Sequence, residues 1–420
     1  MDNKDLVLRH PSKKISGTVQ LTGSKSESNR ALIIQALSQG KVQIDNTSEA
    51  DDTVLLTRAL NTAQDSHTGQ KTIDIGPAGT AMRFMTSYLN MIDGDFILTG
   101  TDRMQQRPIG ILVDALKEIG ADIHYQKKAG FPPLHIEGKL FQSKDTIRIK
   151  GNISSQYISS LLLVASSLKK GLTLEIEGEL TSRPYVTMTL NMLEEVGITH
   201  RWEGIKIHIA PQEAQESTLY IEPDWSAASY WYSIVALAEE GEIYLPGLKK
   251  NSLQGDVAIA EIMTHFGVET NFEERGIRLK KSTSNSNKTL FDFKECPDLA
   301  QTVVVIAAAQ RRDVSFTGLE TLKIKETDRI AALQQEIAKF GAKLIAEGEI
   351  YHLQTAGVQQ PENLTIATYE DHRMAMAFAP LALVFDKVII EEPQVVEKSY
   401  PMFWEHLQQQ GFSLEQGLKD

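Results

Sequence analysis

Cysteine is almost missing from this chain. Cys296 is the only one among 420 residues, so no intrachain disulfide can form and no cysteine-based zinc cluster can be built. That usage fits a reducing compartment. No stretch approaches the roughly twenty apolar residues that a bilayer span needs. The opening Met1-Asp2-Asn3-Lys4-Asp5-Leu6 carries no apolar leader segment, and a cytoplasmic location is expected. Positive charge is in deficit: Lys and Arg total 43 against 55 Asp and Glu, a net charge of −12. Such a chain repels polyanions, and a nucleic-acid partner, which favours a broad basic face, is not expected. No His-x-x-x-His pair or carboxylate triad suggests a metal, so neither a metal nor a cofactor is expected.

What the chain does have is length, a soluble composition and four cationic loops. A chain of 420 residues exceeds one ordinary core, and 41% apolar with 23% charged residues is a globular composition. The loops are Gly23-Ser24-Lys25-Ser26-Glu27-Ser28-Asn29-Arg30, Gln106-Arg107-Pro108, Lys325-Glu326-Thr327-Asp328-Arg329, and Asp371-His372-Arg373 with Lys398 beyond it. Lys and Arg set beside Ser, Gly, Asp and Glu in an acidic chain suit a small, highly anionic ligand.

One pattern recurs at intervals of roughly seventy residues: a polar or Pro-containing start, a helical apolar pattern, then a Gly leading into a strand. Copies run Pro108–Gly120, Pro184–Gly197, Asp256–Gly267, Asp328–Gly341 and Pro401–Gly411, and a weaker one begins at Asp51 without the Gly. In the first, Ile109, Leu112, Val113, Leu116 and Ile119 form one apolar stripe. Pro108 suits the first helical position and Gly120 the left-handed stop. Alternating segments such as Asp145–Lys150 and Ile205–Ile209 read as strands. Six α+β units fill the chain, and two globular domains of three units each are the preferred packing. Lys281–Lys288 reads as a polar loop or tip.

Each motif has a plain reading beside a functional one. Gly23-Ser24-Lys25-Ser26 is not a Walker A loop, yet Ser, Lys and Gly before a helix can bind an anion or simply cap. Gly76-Pro77-Ala78-Gly79-Thr80-Ala81-Met82-Arg83 is a small-residue turn into a helix, where Gly79 would let backbone approach a ligand. Arg107 can grip a carboxylate or phosphate with its guanidinium fork, or face solvent. Ser154, Ser155 and Gln156 can donate to phosphate or cap a helix. Lys325–Arg329 is the densest charged cluster, where Thr327 or Asp328 can cap. Asp371 and His372 suit cap and core roles, leaving Arg373 for a ligand. Asp298, ahead of the run Val303–Ala309, is by default an N-cap and is also placed to be a base. Cys296 reads as a small buried residue.

Taken in order, Gly-Ser-Lys-Ser, Ala-Gly-Thr-Ala-Met-Arg, Gln-Arg-Pro-Ile-Gly, Ser-Ser-Gln-Tyr, Lys-Glu-Thr-Asp-Arg and Asp-His-Arg-Met-Ala resemble the 5-enolpyruvylshikimate-3-phosphate synthase family, from about residue 15 to 405. The resemblance implies an α/β fold: two domains, each of three repeated βαβαββ-type units in an inside-out α/β barrel, joined by a two-crossing hinge. The domains would be 1–24 plus 222–420 (phosphoenolpyruvate and the acid–base residues) and 25–221 (shikimate 3-phosphate), closing over the substrates. It further implies transfer of the enolpyruvyl group of phosphoenolpyruvate to the 5-hydroxyl of shikimate 3-phosphate. Phosphate leaves through a tetrahedral adduct, in the shikimate pathway of aromatic amino acid biosynthesis. No membrane or nucleic-acid partner and a monomer are expected.

Carried over residue by residue, the resemblance implies that Lys25, Gly79, Arg107, Gln156, Arg329, Arg373 and Lys398 bind phosphoenolpyruvate. Lys25, Ser26, Arg30, Ser154, Ser155, Gln156, Ser182, Tyr185, Asp298, Thr321 and Lys325 would hold shikimate 3-phosphate. Asp298 is the expected base, Glu326 the proton donor, and Lys25 stands at both substrates. Three positions depart from the family's usual pattern: Pro77 and Thr321 where Asn is common, and Phe84 where Pro is common. The nearest rival is the sister family of UDP-N-acetylglucosamine enolpyruvyl transferases, whose flexible-loop cysteine should lie near Arg107, far in sequence from Cys296. A non-catalytic anion-binding paralogue is a third reading. It would not need Lys25, Asp298 and Glu326 together.

Overall fold

The computed structural model describes residues 5–66, 69–283 and 286–417. The leader reading at Met1–Lys4 and the centre of the polar tip, 284–285, lie outside these. The chain divides into two compact units, Met1–Thr22 with Glu222–Asp420, and Gly23–Ile221.

One topology occurs five times. A strand pairs in parallel with a second, the second pairs antiparallel with a third, and the third with a fourth. In the Gly23–Ile221 unit, Gln70–Asp74 runs parallel to Asp95–Thr99, which is antiparallel to Leu134–Glu137 and through it to Asp122–Tyr125. Thr146–Lys150, Leu172–Glu177, Lys206–Ile209 and Arg201–Glu203 repeat this order. The other unit holds three such sheets. One of them joins Leu6–Arg9 between Val388–Ile390 and Ser413–Gln416, and another joins Lys14–Thr18 to Glu240–Pro246. The N-terminal strands thus complete sheets of the C-terminal half.

The sixth sheet differs. Val42–Asp45 pairs in parallel with Ser217–Tyr220, and this sheet has two strands among the described residues. Its helix, Asp51–Gln64, is the copy without a terminal Gly, and it leads into the first strand of the next sheet rather than into a hairpin. The five glycines of the other copies take left-handed or otherwise positive φ: Gly120 114°, Gly197 84°, Gly267 82°, Gly341 93° and Gly411 92°. Each precedes a strand that pairs antiparallel. A helix stopped this way reverses the chain at once and feeds the antiparallel pair, a hairpin in four copies and, after Gly411, a pairing with the N-terminal strand Leu6–Arg9.

Gly341 shows why no other residue serves. A Cβ there would sit 1.9 Å from the Gly357 carbonyl oxygen. Gly341→Ala is expected to cost at least about 1 kcal/mol from the left-handed conformation alone, with the backbone clash added. Urea denaturation measures this; an unchanged midpoint would refute it.

Parallel pairs need a crossover, and helices supply it. Gly79–Tyr88, Ser155–Ala165, Ala300–Ala309 and His372–Phe378 each connect two parallel strands and are buried almost all round. Their apolar sequences, such as Val303–Ala309, match that burial. Two helix readings need correction. Helix Gly110–Ile119 begins two residues after Pro108, whose carbonyl instead accepts from Arg83 (3.0 Å) and the Tyr157 hydroxyl (2.5 Å). The copy from Asp256 to Gly267 is broken into 3-10, α and 3-10 turns.

Candidate active site

In each unit the chemistry-bearing side chains stand at helix beginnings. In the larger-numbered unit Asp328 caps Arg329–Ala338, accepting from the Ile330 and Ala331 amides, and Asp371 caps His372–Phe378, accepting from the Arg373 amide at 2.9 Å. These caps fix Arg329 and Arg373 on the first turns of their helices. Asp298 makes no N-cap: it lies in the turn Pro297–Leu299, and Ala300–Ala309 has no side-chain cap. Its oxygens are claimed by cations instead.

Arg329 is the hub. Only 1% of it is exposed, and its guanidinium donates to Asp371 Oδ2 (2.7 Å), Asp298 Oδ1 (3.0 Å) and Glu326 Oε2 (3.0 Å). Arg373 reaches the other Asp298 oxygen at 3.1 Å, and Lys325 stands 3.5 Å from Oδ1. Lys398 bonds Glu326 Oε1 at 2.9 Å. Asp298 and Glu326 therefore share one guanidinium, and each has a further cation on its second oxygen. Burial opposes the charge of Asp298, but Arg373, Lys325 and Arg329 together outweigh it and hold the carboxyl well below the usual range. Burial likewise opposes the Arg329 charge, and Asp371, Glu326 and Asp298 more than offset it. Arg373 also donates to the Tyr230 hydroxyl at 3.3 Å. Burial raises that phenol to about 12, so it stays neutral. The hydroxyl of Thr321 is buried with no hydrogen-bond partner among the described residues. Cys296 is buried and its thiol pushed up by burial and by Asp256, which fits an inert side chain.

In the Gly23–Ile221 unit, Ser24 caps Lys25–Leu37, so Lys25, Ser26 and Arg30 lie within the helix rather than in a loop before it. Lys25 Nζ meets the buried Asp52 at 3.2 Å. Arg30 is buried and donates to Thr189 Oγ1 (2.7 Å), Ser159 Oγ (3.2 Å) and the Ser26 and Tyr185 carbonyls. Burial lowers its pKa to about 10, where it is still charged at neutral pH. Ser154 caps Ser155–Ala165, with Ser155 buried behind it. Gln156 Nε2 donates to Thr80 Oγ1 at 3.1 Å. Ser182 precedes Arg183–Glu195 in a left-handed conformation, φ 53°, and its hydroxyl makes no cap hydrogen bond. A non-glycine residue held there is strained, and such strain clusters at functional positions. Gly79 meets the Arg107 guanidinium: a Cβ on Gly79 would lie 2.6 Å from Arg107 Nη1.

Among the described residues no cluster of His, Cys, Asp and Glu could hold a metal, and no helix is long and apolar enough to cross a membrane. A family model described as EPSP synthase (3-phosphoshikimate 1-carboxyvinyltransferase) matches residues 9–407. The chain belongs to the EPSP synthase family. A relative from Bacteroides fragilis named 3-phosphoshikimate 1-carboxyvinyltransferase is 48% identical over 406 residues, covering 96% of this chain and 97% of that protein. One of the same name from Sulfurovum is 36% identical over 95% of this chain and 97% of its own length. The solved EPSP synthase of Acinetobacter baumannii superposes with a TM-score of 0.78 at 20% identity, over 98% of this chain and all of that one. The enolpyruvyl transferase NikO from Streptomyces tendae gives 0.75 at 14% identity, over 99% and 100%. The two structures share the fold.

As an EPSP synthase family member the chain departs from pattern where the structure tolerates it. Pro77 is exposed in the turn closed by the Ala78 amide on the Ile75 carbonyl (3.1 Å). Phe84 is buried inside an unbroken Gly79–Tyr88 helix, with the Arg30 guanidinium 5.6 Å from its ring centre. The sequence reading missed several residues that hold the site. Asp371, whose sequence position suggests only a cap, also accepts from the Arg329 guanidinium. Arg83 donates to the Gly79 and Pro108 carbonyls (3.1 and 3.0 Å), tying together the two turns that carry Gly79 and Arg107. Asp52, Thr80, Ser226 and Tyr230 likewise partner Lys25, Gln156 and Arg373 without any mark in the sequence. A lone Asp or hydroxyl has no signature until the fold brings its partner.

Proposed function

We propose that Asp298 and Glu326 perform the two proton transfers of enolpyruvyl transfer from phosphoenolpyruvate to the 5-hydroxyl of shikimate 3-phosphate. The observation that carries this is their shared hold on Arg329, with a second cation on each. Addition needs a base for the alcohol and an acid for the enol methylene, close together. Asp298 takes the hydroxyl proton and Glu326 delivers one to the methylene carbon. In the elimination Glu326 takes a proton back from the methyl carbon as the bond to phosphate breaks, and Asp298 passes its proton to the departing phosphate, so both carboxyls return to their starting states.

The depressed Asp298 carboxyl is a poor base while Arg373 and Lys325 face it. Anionic substrates that draw these cations to themselves would return basicity to Asp298 only when the alcohol is present. Arg329, Arg373 and Lys398, with Lys25, Gly79, Arg107 and Gln156, are the proposed phosphoenolpyruvate ligands. Fixed guanidinium and ammonium charges stabilise the leaving phosphate as its charge develops. Lys25, Ser26, Arg30, Ser154, Ser155, Gln156, Ser182, Tyr185, Asp298, Thr321 and Lys325 are the proposed shikimate 3-phosphate ligands. The strained left-handed backbone at Ser182 and the Thr321 hydroxyl, buried with no hydrogen-bond partner among the described residues, support that assignment.

The purified protein is expected to release inorganic phosphate only when phosphoenolpyruvate and shikimate 3-phosphate are both present. Release with UDP-N-acetylglucosamine as acceptor, or none with either, would overturn the assignment.

A further inference from the structure

Behind Arg373 lies a carboxyl group that the proton transfers do not use. Asp256 belongs to the turn Gly255–Ala258 and is 2% exposed. Its Oδ2 is hydrogen-bonded to the Ser226 hydroxyl, and its Oδ1 is buried with no partner among the described residues. Ser226 Oγ in turn accepts from Arg373 Nη2 at 3.4 Å, and the same Nη2 donates to Asp298 Oδ2 at 3.1 Å. One nitrogen thus links the proposed base to Asp256 through a single hydroxyl.

A buried carboxylate with one bare oxygen is costly, and the neutral acid much less so. The groups facing Asp256 are Asp298 and Cys296 from the segment around Pro297, Arg373 from helix His372–Phe378, and Asp224 and Ser226 from the start of helix Trp225–Leu237. Burial first, then repulsion from Asp298, pushes Asp256 up to about 7; Arg373 and the Ser226 bond oppose this, and Asp224 adds to it.

We propose that Asp256 is a positioning residue for the phosphoenolpyruvate subsite, setting through Ser226 the orientation and effective charge of Arg373. It rests on the reading of Arg373 as a phosphoenolpyruvate ligand. With Asp256 neutral, Arg373 presents its full positive field to the bound anion. With Asp256 ionised, part of that field is cancelled from behind and the Ser226 hydroxyl is held on the carboxylate. Phosphoenolpyruvate binding therefore weakens as pH rises through neutrality.

The test compares wild type, Asp256→Asn and Ser226→Ala. Between about pH 6 and about pH 8.5 the wild-type KM for phosphoenolpyruvate should rise about three- to tenfold more than that of Asp256→Asn. The titration of the substrate itself is common to both proteins and cancels. The KM for shikimate 3-phosphate should follow the same course in both. Ser226→Ala, which removes the link and keeps the carboxyl, should raise the KM for phosphoenolpyruvate selectively, and it carries the test if Asp256→Asn does not fold. Parallel phosphoenolpyruvate profiles, or equal losses for both substrates at every pH, would overturn the proposal.

An inactive wild type would instead refute the proposed function, and thermal unfolding then decides about Asp256. Its folded pKa lies above the unfolded value of about 4, so between about 4 and 7 the folded state holds the extra proton and stability falls as pH rises. The Tm of Asp256→Asn should gain on wild type from about pH 5 to about pH 8. A constant difference would remove Asp256 as a titrating group.

Discussion

Asp298→Asn is expected to bind both substrates and to lose about 10²- to 10⁴-fold in kcat, the usual worth of a placed general base. The amide keeps the shape but cannot accept the alcohol proton. Removing a negative charge from among Arg373, Lys325 and Arg329 also strengthens their field, so the KM for phosphoenolpyruvate should not rise. Steady-state kinetics with phosphate detection measure both. A kcat within tenfold of wild type would exclude Asp298 as the base. The substitution has a pH signature too. The folded carboxyl is depressed below the unfolded value of about 4, so its stabilisation is present above that pH and lost as pH falls through the folded value. The Tm of Asp298→Asn should lie below wild type at neutral pH, and the gap should narrow in acid.

Arg329→Met is expected to be the most destabilising change in the site. The methionine fills the space but leaves Asp371, which is 0% exposed, without its guanidinium partner. It also releases Asp298 and Glu326. Breaking a buried ion pair from one side costs about 3–5 kcal/mol. Part of the field on Asp298 persists through Arg373 and Lys325, so the loss centres on Asp371. Arg329→Lys should fall between, because one ammonium cannot present the fork that spans three carboxylates. Chemical denaturation reports the stability and phosphate release the activity. Wild-type stability in Arg329→Met would show that this cluster does not help hold the unit together.

Much of the repeat was legible before any coordinates. Gly120, Gly197, Gly267, Gly341 and Gly411 stop helices where the spacing placed them, because a left-handed stop leaves a local mark that only glycine tolerates well. The missing Gly of the Asp51 copy is equally informative, since no hairpin follows that helix among the described residues. Less legible was the start of each helix. The sequence suggests a loop at Lys25 and a helix from Pro108, where the structure has the reverse, because a polar first turn and a capped loop share one composition. Asp298 shows the same limit: its place before an apolar run suggested a cap, while its cationic partners come from segments distant in sequence.

What the sequence determined by itself was the order of the motifs, the periodic units and the anionic character of the ligand. These depend on neighbours within a few turns of chain, where spacing and residue type suffice. What the tertiary structure decided was partnership: Arg329 among three carboxylates, Gly79 against Arg107, and Asp256 behind Arg373 through Ser226. Charge and hydrogen bonding act over a few ångströms in space, and only the folded chain brings residues 226, 256, 298, 329 and 373 within that distance.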